Sequence, residues 1–170
     1  MIELERTFLA KYLPANLEKC KSKEVIDIYL PTHSRHPTLR IRKNGEKYEI
    51  TKKEPLANDP THLVEETTTL KKEEFEELNS SVKGKRLHKI RYYFPYNGLM
   101  AEIDVFQGGL KGLVLIDFEF KTKEEKAIFT IPDFCLIEVK HMERLAGGML
   151  CGKTLEDIKD LIDEHNYKLI

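Results

Sequence analysis

The chain has 170 residues, of which 34% are charged, and its formal net charge is only −1. This length suits one domain, spanning residues 1–170, with a substantial hydrophobic core. Because acidic and basic residues nearly balance and no apolar run is long enough to cross a bilayer, we expect neither nucleic acid nor membrane as a partner.

The cysteines indicate the compartment. Cys20, Cys135 and Cys151 are isolated, odd in number and without a CxxC pair. Charged residues begin at the third position, so no apolar secretory signal is apparent. Reduced thiols and a cytoplasmic location are therefore predicted.

Turn residues divide the chain into short alternating stretches, which we predict to form about eight mostly antiparallel strands. In chain order the stretches are ELERTFL, VIDIYL, TLRIRK, KYEITKK, LVEETTTL, KIRYYF, LMAEIDVF, LVLIDFEFK and FCLIEVK. Asn44-Gly45 and Asn97-Gly98 are strong hairpin signals within this series.

Three stretches are predicted to be helical. KKEEFEELNSSV has apolar residues at helical spacing. Thr122 and Glu125 form a capping box at the start of TKEEKAIF. Thr154 is expected to begin a C-terminal helix in TLEDIKDLIDEH, with its apolar side chains on one face. We expect these helices to pack around the sheet.

Charged residues recur at every second position of most predicted strands, so they share one face. The sets are Glu3 and Glu5; Arg40 and Arg42; Lys89 and Arg91; Glu102 and Asp104; Asp117, Glu119 and Lys121; and Glu138 and Lys140. An antiparallel sheet with one solvated face explains any single strand of this kind. Across the chain, however, most strands carry one sign only, whereas neighbours on a solvated sheet usually mix signs.

A closed sheet with this face turned inward would have a charged lumen. Arginine and lysine rows bind phosphate, and clustered carboxylates bind a hard divalent cation such as Mg²⁺ or Mn²⁺. A cation held between acids and phosphate oxygens neutralises charge that develops during phosphoryl transfer. The pattern therefore indicates a metal-dependent site for a linear, highly charged phosphate.

The opening ELERTFL resembles the ExExK signature of the CYTH proteins, or triphosphate tunnel metalloenzymes. The likeness continues in order through LRIRKNG, YEITKK, KIRYYF, AEIDVF, LIDFEF and IEVK, from Glu3 to about Lys140. It implies a mainly β (α+β) fold, a closed antiparallel eight-stranded tunnel barrel with a few flanking helices. It also implies chemistry on triphosphate groups with Mg²⁺ or Mn²⁺.

The resemblance assigns roles to the charged residues. The implied metal ligands are Glu3, Glu5, Asp104, Asp117, Glu119 and Glu138. The implied phosphate-binding residues are Arg40, Arg42, Lys53, Lys89 and Arg91. One acid would orient or deprotonate the attacking water, and our candidates are Glu5, Glu119 and Glu138.

The chain departs from the signature at one position. The signature has lysine at position 7, where this chain has Thr7. Our hypothesis is that Lys140 supplies a replacement charge for substrate binding. Glu65 matches a further acidic position, beside Thr67 where a second acid is usual.

The leading functional prediction is metal-dependent hydrolysis of the terminal phosphate of a triphosphate, preferably inorganic tripolyphosphate. Thiamine triphosphate is an alternative substrate. A class IV adenylate cyclase, which makes cyclic AMP and pyrophosphate from ATP, is a second enzyme hypothesis. The non-enzymatic hypotheses are a non-catalytic polyphosphate or nucleotide binder and a plain sheet with a solvated charged face. The sequence is compatible with either a monomer or a homodimer.

Overall fold

A computed structural model describes residues 4–34, 37–56 and 59–170, without the side chains of residues 54–64. The strands are β1 (Glu5–Ala10), β2 (Ser22–Leu30), β3 (Leu39–Asn44), β4 (Lys47–Leu56), β5 (Asp59–Leu70), β6 (Lys85–Tyr96), β7 (Leu99–Phe106), β8 (Val114–Glu119) and β9 (Cys135–Glu138). The α-helices are α1 (Lys72–Ser81), α2 (Lys123–Ile128), α3 (Gly147–Leu150) and α4 (Lys159–Glu164). Short 3₁₀ turns lie at Leu17–Lys19, Gly108–Leu110, Glu143–Leu145 and Glu156–Ile158.

The strands form one antiparallel sheet in the order β5-β4-β3-β2-β6-β7-β8-β1-β9. The predicted mainly β antiparallel fold is confirmed, but the prediction of a closed eight-stranded barrel is wrong. The sheet has nine strands, because every predicted stretch forms a separate strand. Within the described residues β5 and β9 are free edges, since the four-residue β9 pairs with β1 alone. A barrel requires its two edge strands to pair with each other.

Both predicted hairpins are present. Gly45 joins β3 to β4 with a φ of 61°, and Asn97 and Gly98 join β6 to β7 with φ values of 46° and 79°. Two successive residues of positive φ match the right-handed twist of the flanking strands, and asparagine and glycine adopt them at little cost. The Asn97-Gly98 turn sets the register that places Arg91 opposite Asp104.

The cross-strand register divides the sheet into a charged and an apolar face, because residues directly opposite each other share a face. The charged face includes Glu5, Thr7, Asp27, Arg40, Arg42, Thr51, Lys53, Glu65, Thr67, Lys89, Arg91, Glu102, Asp104, Asp117 and Glu119. The predicted parity thus extends over eight of the nine strands.

The apolar face is covered by two groups of side chains. Phe75 of α1 packs with Ile28 and Ile41, and its ring centroid lies 5.2 Å from that of Tyr48. A larger aromatic group over the other half of the sheet contains Phe8, Phe118, Phe120, Phe129 and Phe134. The expectation that helices cover this face is confirmed for α1, whereas α2 itself buries no residue.

The C-terminal segment, residues 142–170, packs over one end of the charged face. Leu145, Leu150 and Ile158 join a buried cluster with Leu9 and Phe106 from the sheet. The Tyr167 hydroxyl donates to the Gly112 carbonyl and accepts from the Val114 N–H, both at 2.8 Å. These two hydrogen bonds therefore hold the C-terminal residues against the start of β8.

The predicted C-terminal helix is interrupted. It consists of the 3₁₀ turn Glu156–Ile158 followed by α4, with Ile158 between them at φ −120° and ψ 12°. Thr154 lies just before this turn, where its N–H and hydroxyl donate to the Asp157 carboxylate at 2.8 and 3.0 Å and its carbonyl accepts from the Asp157 N–H at 3.1 Å. Among the described residues, no helix has the length and apolarity needed to span a bilayer.

Replacement of Phe75 by alanine is expected to lower the free energy of unfolding by about 3–5 kcal/mol. The side chain is 2% exposed, and its loss leaves a cavity over β3 and β4. Urea denaturation measures the change. Ile128→Ala is the matched control, since Ile128 is 80% exposed on α2. Equal effects of the two substitutions would contradict the packing described here.

Candidate active site

A cavity of about 230 Å³ lies over the acidic strands, at the end of the charged face that the C-terminal segment covers. Its polar lining comes from Glu5, Thr7, Lys89, Asp104, Asp117, Lys140 and Glu143. Its apolar lining comes from Phe106, Leu115, Val139, Met142, Leu145, Ala146 and Gly147. The cavity is thus charged on the side of the sheet and closed by apolar side chains at one end.

The signs of charge are sorted across the face as the sequence predicts. The basic residues Arg40, Arg42 and Lys53 lie on β3 and β4, and Lys89 and Arg91 on β6. The acids lie on the adjoining strands β7, β8 and β1. Because β6 and β7 are neighbours, the basic and acidic groups of strands meet along a seam there, while Asp27 on β2 and Glu65 on β5 are acids within the basic half.

Arg91 is the centre of that seam. Its Nε and Nη2 donate to the two carboxylate oxygens of Asp104, both at 2.7 Å, and its Nη1 donates to Glu102. Nη2 also lies 3.6 Å from Oδ2 of Asp117. Burial alone would lower the pKa of Arg91, but its bonds to Asp104 and the nearby acids raise the pKa above the ordinary value. Arg91 is therefore a permanent cation.

Asp104 is almost completely enclosed. It is 1% exposed and accepts from Lys89 as well as from Arg91. Burial would raise the pKa of Asp104, but the two cations outweigh it and hold the pKa below the usual range. The carboxylate is thus ionised, with both oxygens occupied.

A second pair repeats this construction on β2 and β3. Arg42 donates from Nε and Nη2 to the two carboxylate oxygens of Asp27, at 2.6 and 2.7 Å. Asp27 is also 1% exposed. Burial would lower the pKa of Arg42, but bonding to Asp27 raises it. The positive charge of Arg91 opposes that rise, so the two arginines lie close enough to repel each other.

Thr7 and Lys140 both line the cavity together with Glu5 and Asp117. Thr7 is directly opposite Asp117 on the neighbouring strand, and its hydroxyl lowers the pKa of that carboxylate. The Lys140 ammonium donates to Glu5 Oε1 from beyond the end of β9. A cation therefore does reach the acidic strands from position 140.

The acids on β1, β7 and β8 oppose one another. Glu5 faces Glu119 and Glu102 faces Asp117 across adjacent strands, an arrangement that is unfavourable for like charges. Burial and neighbouring acids raise the pKa of Glu102 against the opposing effect of Arg91. Burial, then the charge of Asp104, raises the pKa of Asp117, while the Thr7 hydroxyl lowers it. A bound cation would reduce the electrostatic repulsion among these carboxylates.

The chemistry of this donor set fits a hard divalent cation, which prefers carboxylate oxygens. In the described part of the chain, no three His, Cys, Asp or Glu side chains converge closely enough to hold a metal ion as they stand. Oxygens of Glu5 and Glu102 are instead bound by Lys140 and Arg91.

The remaining predicted site residues are placed differently. Glu138 is bound by Arg6, with its Oε2 at 3.1 Å from Nε and 2.6 Å from Nη2. The Arg6 guanidinium lies 5.2 Å from the Phe8 ring centre, on the face opposite Glu5. The structure therefore separates Glu138 from the acids of the cavity. Glu3 lies outside the described residues.

At the basic end of the face, Lys53 pairs with Glu65 at 3.0 Å. Arg40 has a buried Nε without a hydrogen-bond partner among the described residues. A buried unpaired donor is costly unless a ligand satisfies it.

Sequence reasoning missed two contributors to the site. Asp27 is the single charge within VIDIYL, and a lone acid in an apolar strand is itself a signal of a buried partner. The second contributor is the segment from Met142 to Gly147, which forms the apolar end of the cavity. No sequence pattern there indicates such a role.

Comparisons with known proteins agree with this arrangement. A sequence model of the CYTH domain matches residues 1–141. The chain therefore belongs to the CYTH domain family, as its motifs predict. It is 29% identical over 153 residues to the inorganic triphosphatase of Nitrosomonas europaea, a match that covers 88% of this chain and 97% of that protein.

Solved structures give the same picture. The crystal structure of the inorganic triphosphatase NE1496 superposes with a TM-score of 0.71 at 26% identity, covering 90% of this chain and 96% of that one. A crystal structure described as hypothetical protein NE1496 gives a TM-score of 0.73 at 27% identity, covering 90% and 99% of the two chains.

Replacement of Asp117 by asparagine is expected to raise the free energy of unfolding at pH 7. The pKa of Asp117 is raised in the folded state, so its ionised form destabilises the fold above that pKa. The gain in unfolding free energy should shrink as the pH falls through the raised pKa of Asp117. It should vanish at pH values below the ordinary pKa of aspartate. Urea denaturation at several pH values tests this. Asp163→Asn, at an exposed site on α4, is the control. An Asp117→Asn variant less stable than wild type at pH 7 would contradict the electrostatic account.

Proposed function

We propose that this protein is a metal-dependent triphosphatase that hydrolyses the terminal phosphate of inorganic tripolyphosphate. The main support is the seam at which the basic strand β6 meets the acidic strands β7 and β8 beside the cavity. A chain of phosphates needs cations along its length, and its reacting end needs a counter-ion site. Membership of the CYTH family and the inorganic triphosphatase relative support the same activity.

In this proposal the basic residues hold the phosphate chain. Arg40 offers the unpaired Nε, and Arg42 and Arg91 offer planar donors suited to phosphate oxygens. Lys53, Lys89 and Lys140 add point charges along the same face. A triphosphate lying from β3 to β8 would place its terminal phosphorus next to the acids.

The acidic residues would act at the terminal phosphate, where hydrolysis takes place. Glu5, Glu102, Asp117 and Glu119 would hold a divalent cation, which when bound supplies charge neutralisation at the phosphate oxygens. Glu119 is the exposed member of this group, and we assign to it the orientation or deprotonation of the attacking water. Water adds to the terminal phosphorus and the bond to the bridging oxygen breaks, giving orthophosphate and pyrophosphate.

An activity assay tests this proposal. Purified protein is incubated with tripolyphosphate, ATP or thiamine triphosphate, each with Mg²⁺, Mn²⁺ or EDTA, and orthophosphate and cyclic AMP are measured. Orthophosphate release from tripolyphosphate that EDTA abolishes is expected. Glu5→Gln should reduce it on the order of 100-fold or more, because charge stabilisation at the reacting phosphate is lost. Glu18→Gln, at an exposed 3₁₀ turn, is the control. Cyclic AMP as the main product would instead identify a cyclase, and tight binding without turnover a binding protein.

Lys140→Gln is expected to raise the KM for tripolyphosphate, about 10-fold if one charge-assisted contact is lost. The Lys140 ammonium already reaches Glu5 at the cavity, so it is placed to meet a phosphate there. Steady-state kinetics give the value, with the exposed Lys123→Gln on α2 as the control. An unchanged KM would reject the role of Lys140.

The cytoplasmic location remains a prediction, supported by the free thiols of Cys20, Cys135 and Cys151.

A further inference from the structure

The pairs Asp27–Arg42 and Asp104–Arg91 are built in the same way. In each, the aspartate and arginine are directly opposite on neighbouring antiparallel strands, β2 with β3 and β6 with β7. In each, the arginine uses Nε and Nη2 to contact both oxygens of one carboxylate, at 2.6 to 2.7 Å. In both strand pairs, therefore, the aspartate binds the same edge of the arginine's guanidinium group.

Neither aspartate is available to a ligand. Both are 1% exposed, and both oxygens of each accept from an arginine. Asp104 also accepts from Lys89. A divalent cation would have to displace buried, bidentate bonds to reach either carboxylate, whereas the acids of β1 and β8 are more open to the cavity.

The arginines, by contrast, keep donors free. A guanidinium has five N–H donors, and a carboxylate on the Nε–Nη2 edge engages two of them. Glu102 engages one further donor of Arg91, at Nη1, which leaves two N–H donors of Arg91 outside these bonds. The side chains of Arg42 and Arg91 are 25% and 22% exposed, so part of each guanidinium meets solvent on the charged face. Both arginines lie on this face, on strands β3 and β6, which are separated by β2 alone.

We propose that Asp27 and Asp104 are positioning residues, which hold Arg42 and Arg91 in fixed orientation so that their outer edges grip a linear phosphate chain. This rests on the proposed triphosphatase function and deepens it. It assigns a role to Asp27 and makes Asp104 a support for phosphate binding, where the sequence pattern implied a metal ligand. Holding an arginine in advance reduces the rotamer entropy lost when a ligand binds.

Calorimetric titration with inorganic tripolyphosphate in EDTA tests the proposal without turnover. Asp27→Asn and Asp104→Asn should each weaken binding about 10-fold, as expected for a charge-assisted bond to an arginine that is no longer held. Asp160→Asn is the matched control, because Asp160 also binds both guanidinium nitrogens of an arginine, Arg144, at 2.5 and 2.9 Å, but on the exposed C-terminal segment. Unchanged binding in both test variants, or an equal loss in the control, overturns the proposal.

A double-mutant cycle separates positioning from a purely structural role. In an Arg42→Lys background the planar fork is gone, so adding Asp27→Asn should weaken tripolyphosphate binding by less than about 2-fold. A structural role predicts the full loss in either background. The double variant Asp27→Asn, Arg42→Gln keeps a neutral hydrogen-bonded pair at these positions. It serves as the control for correct folding. Restored phosphate binding in that variant would also overturn the proposal.

Mn²⁺ titration distinguishes the role of Asp104 from metal binding. Asp104→Asn should bind Mn²⁺ within about 3-fold of wild type, since both Asp104 oxygens are buried and already accept from Arg91 and Lys89. Loss of Mn²⁺ binding in this variant, where wild type binds, identifies Asp104 as a ligand and overturns its positioning role. The wild-type protein could bind tripolyphosphate with these mutational effects and yet not hydrolyse it. That result would reject the proposed triphosphatase activity but support the positioning role of Asp27 and Asp104. No binding of tripolyphosphate by wild type would reject both.

Discussion

The bidentate pairing of Arg91 with Asp104 across β6 and β7 is the interaction on which the charged face depends. Removing an ion from water costs several kcal/mol, and a buried charge is tolerated only when its hydrogen-bonding positions are satisfied. Lys89 donates a further hydrogen bond to Asp104, and Glu102 accepts one from Nη1 of Arg91. This cluster lets the sheet keep a charged interior along the line where its basic and acidic strands meet.

The acids beyond that seam are not balanced in the same way. Glu5, Glu102, Asp117 and Glu119 face one another, and the pKa values of Glu102 and Asp117 are raised. Evolution for stability alone would replace such residues, so their presence is typical of a site that binds a cation or performs acid–base chemistry. The unpaired Nε of Arg40 on the basic side has the same character. These features of the described residues support the proposed binding of a metal-bound polyphosphate along the charged face.

The substitution at position 7 illustrates how the site redistributes charge. Thr7 lies opposite Asp117 and adds no cation, while the Lys140 ammonium donates to Glu5 within the same cavity lining. Alternation along β9 alone would have placed Lys140 beside Glu138. β9 ends at Glu138, so strand alternation does not continue to Lys140, and Arg6 binds Glu138 on the far face.

Sequence alternation determined which residues of the strands share a face, because successive side chains of a β-strand point to opposite sides whatever the surroundings. The hairpins at Asn44-Gly45 and Asn97-Gly98, helix α1 and the sorting of Arg40, Arg42, Arg91, Glu102 and Asp117 by sign follow from such local rules. Only the tertiary structure decided that the described sheet is open, that Asp27 holds Arg42, that Glu138 leaves the acidic group and that residues 142–147 close the cavity. These features depend on strand order, register shifts and loop packing between residues far apart in the chain, and periodicity within one strand contains no information about them.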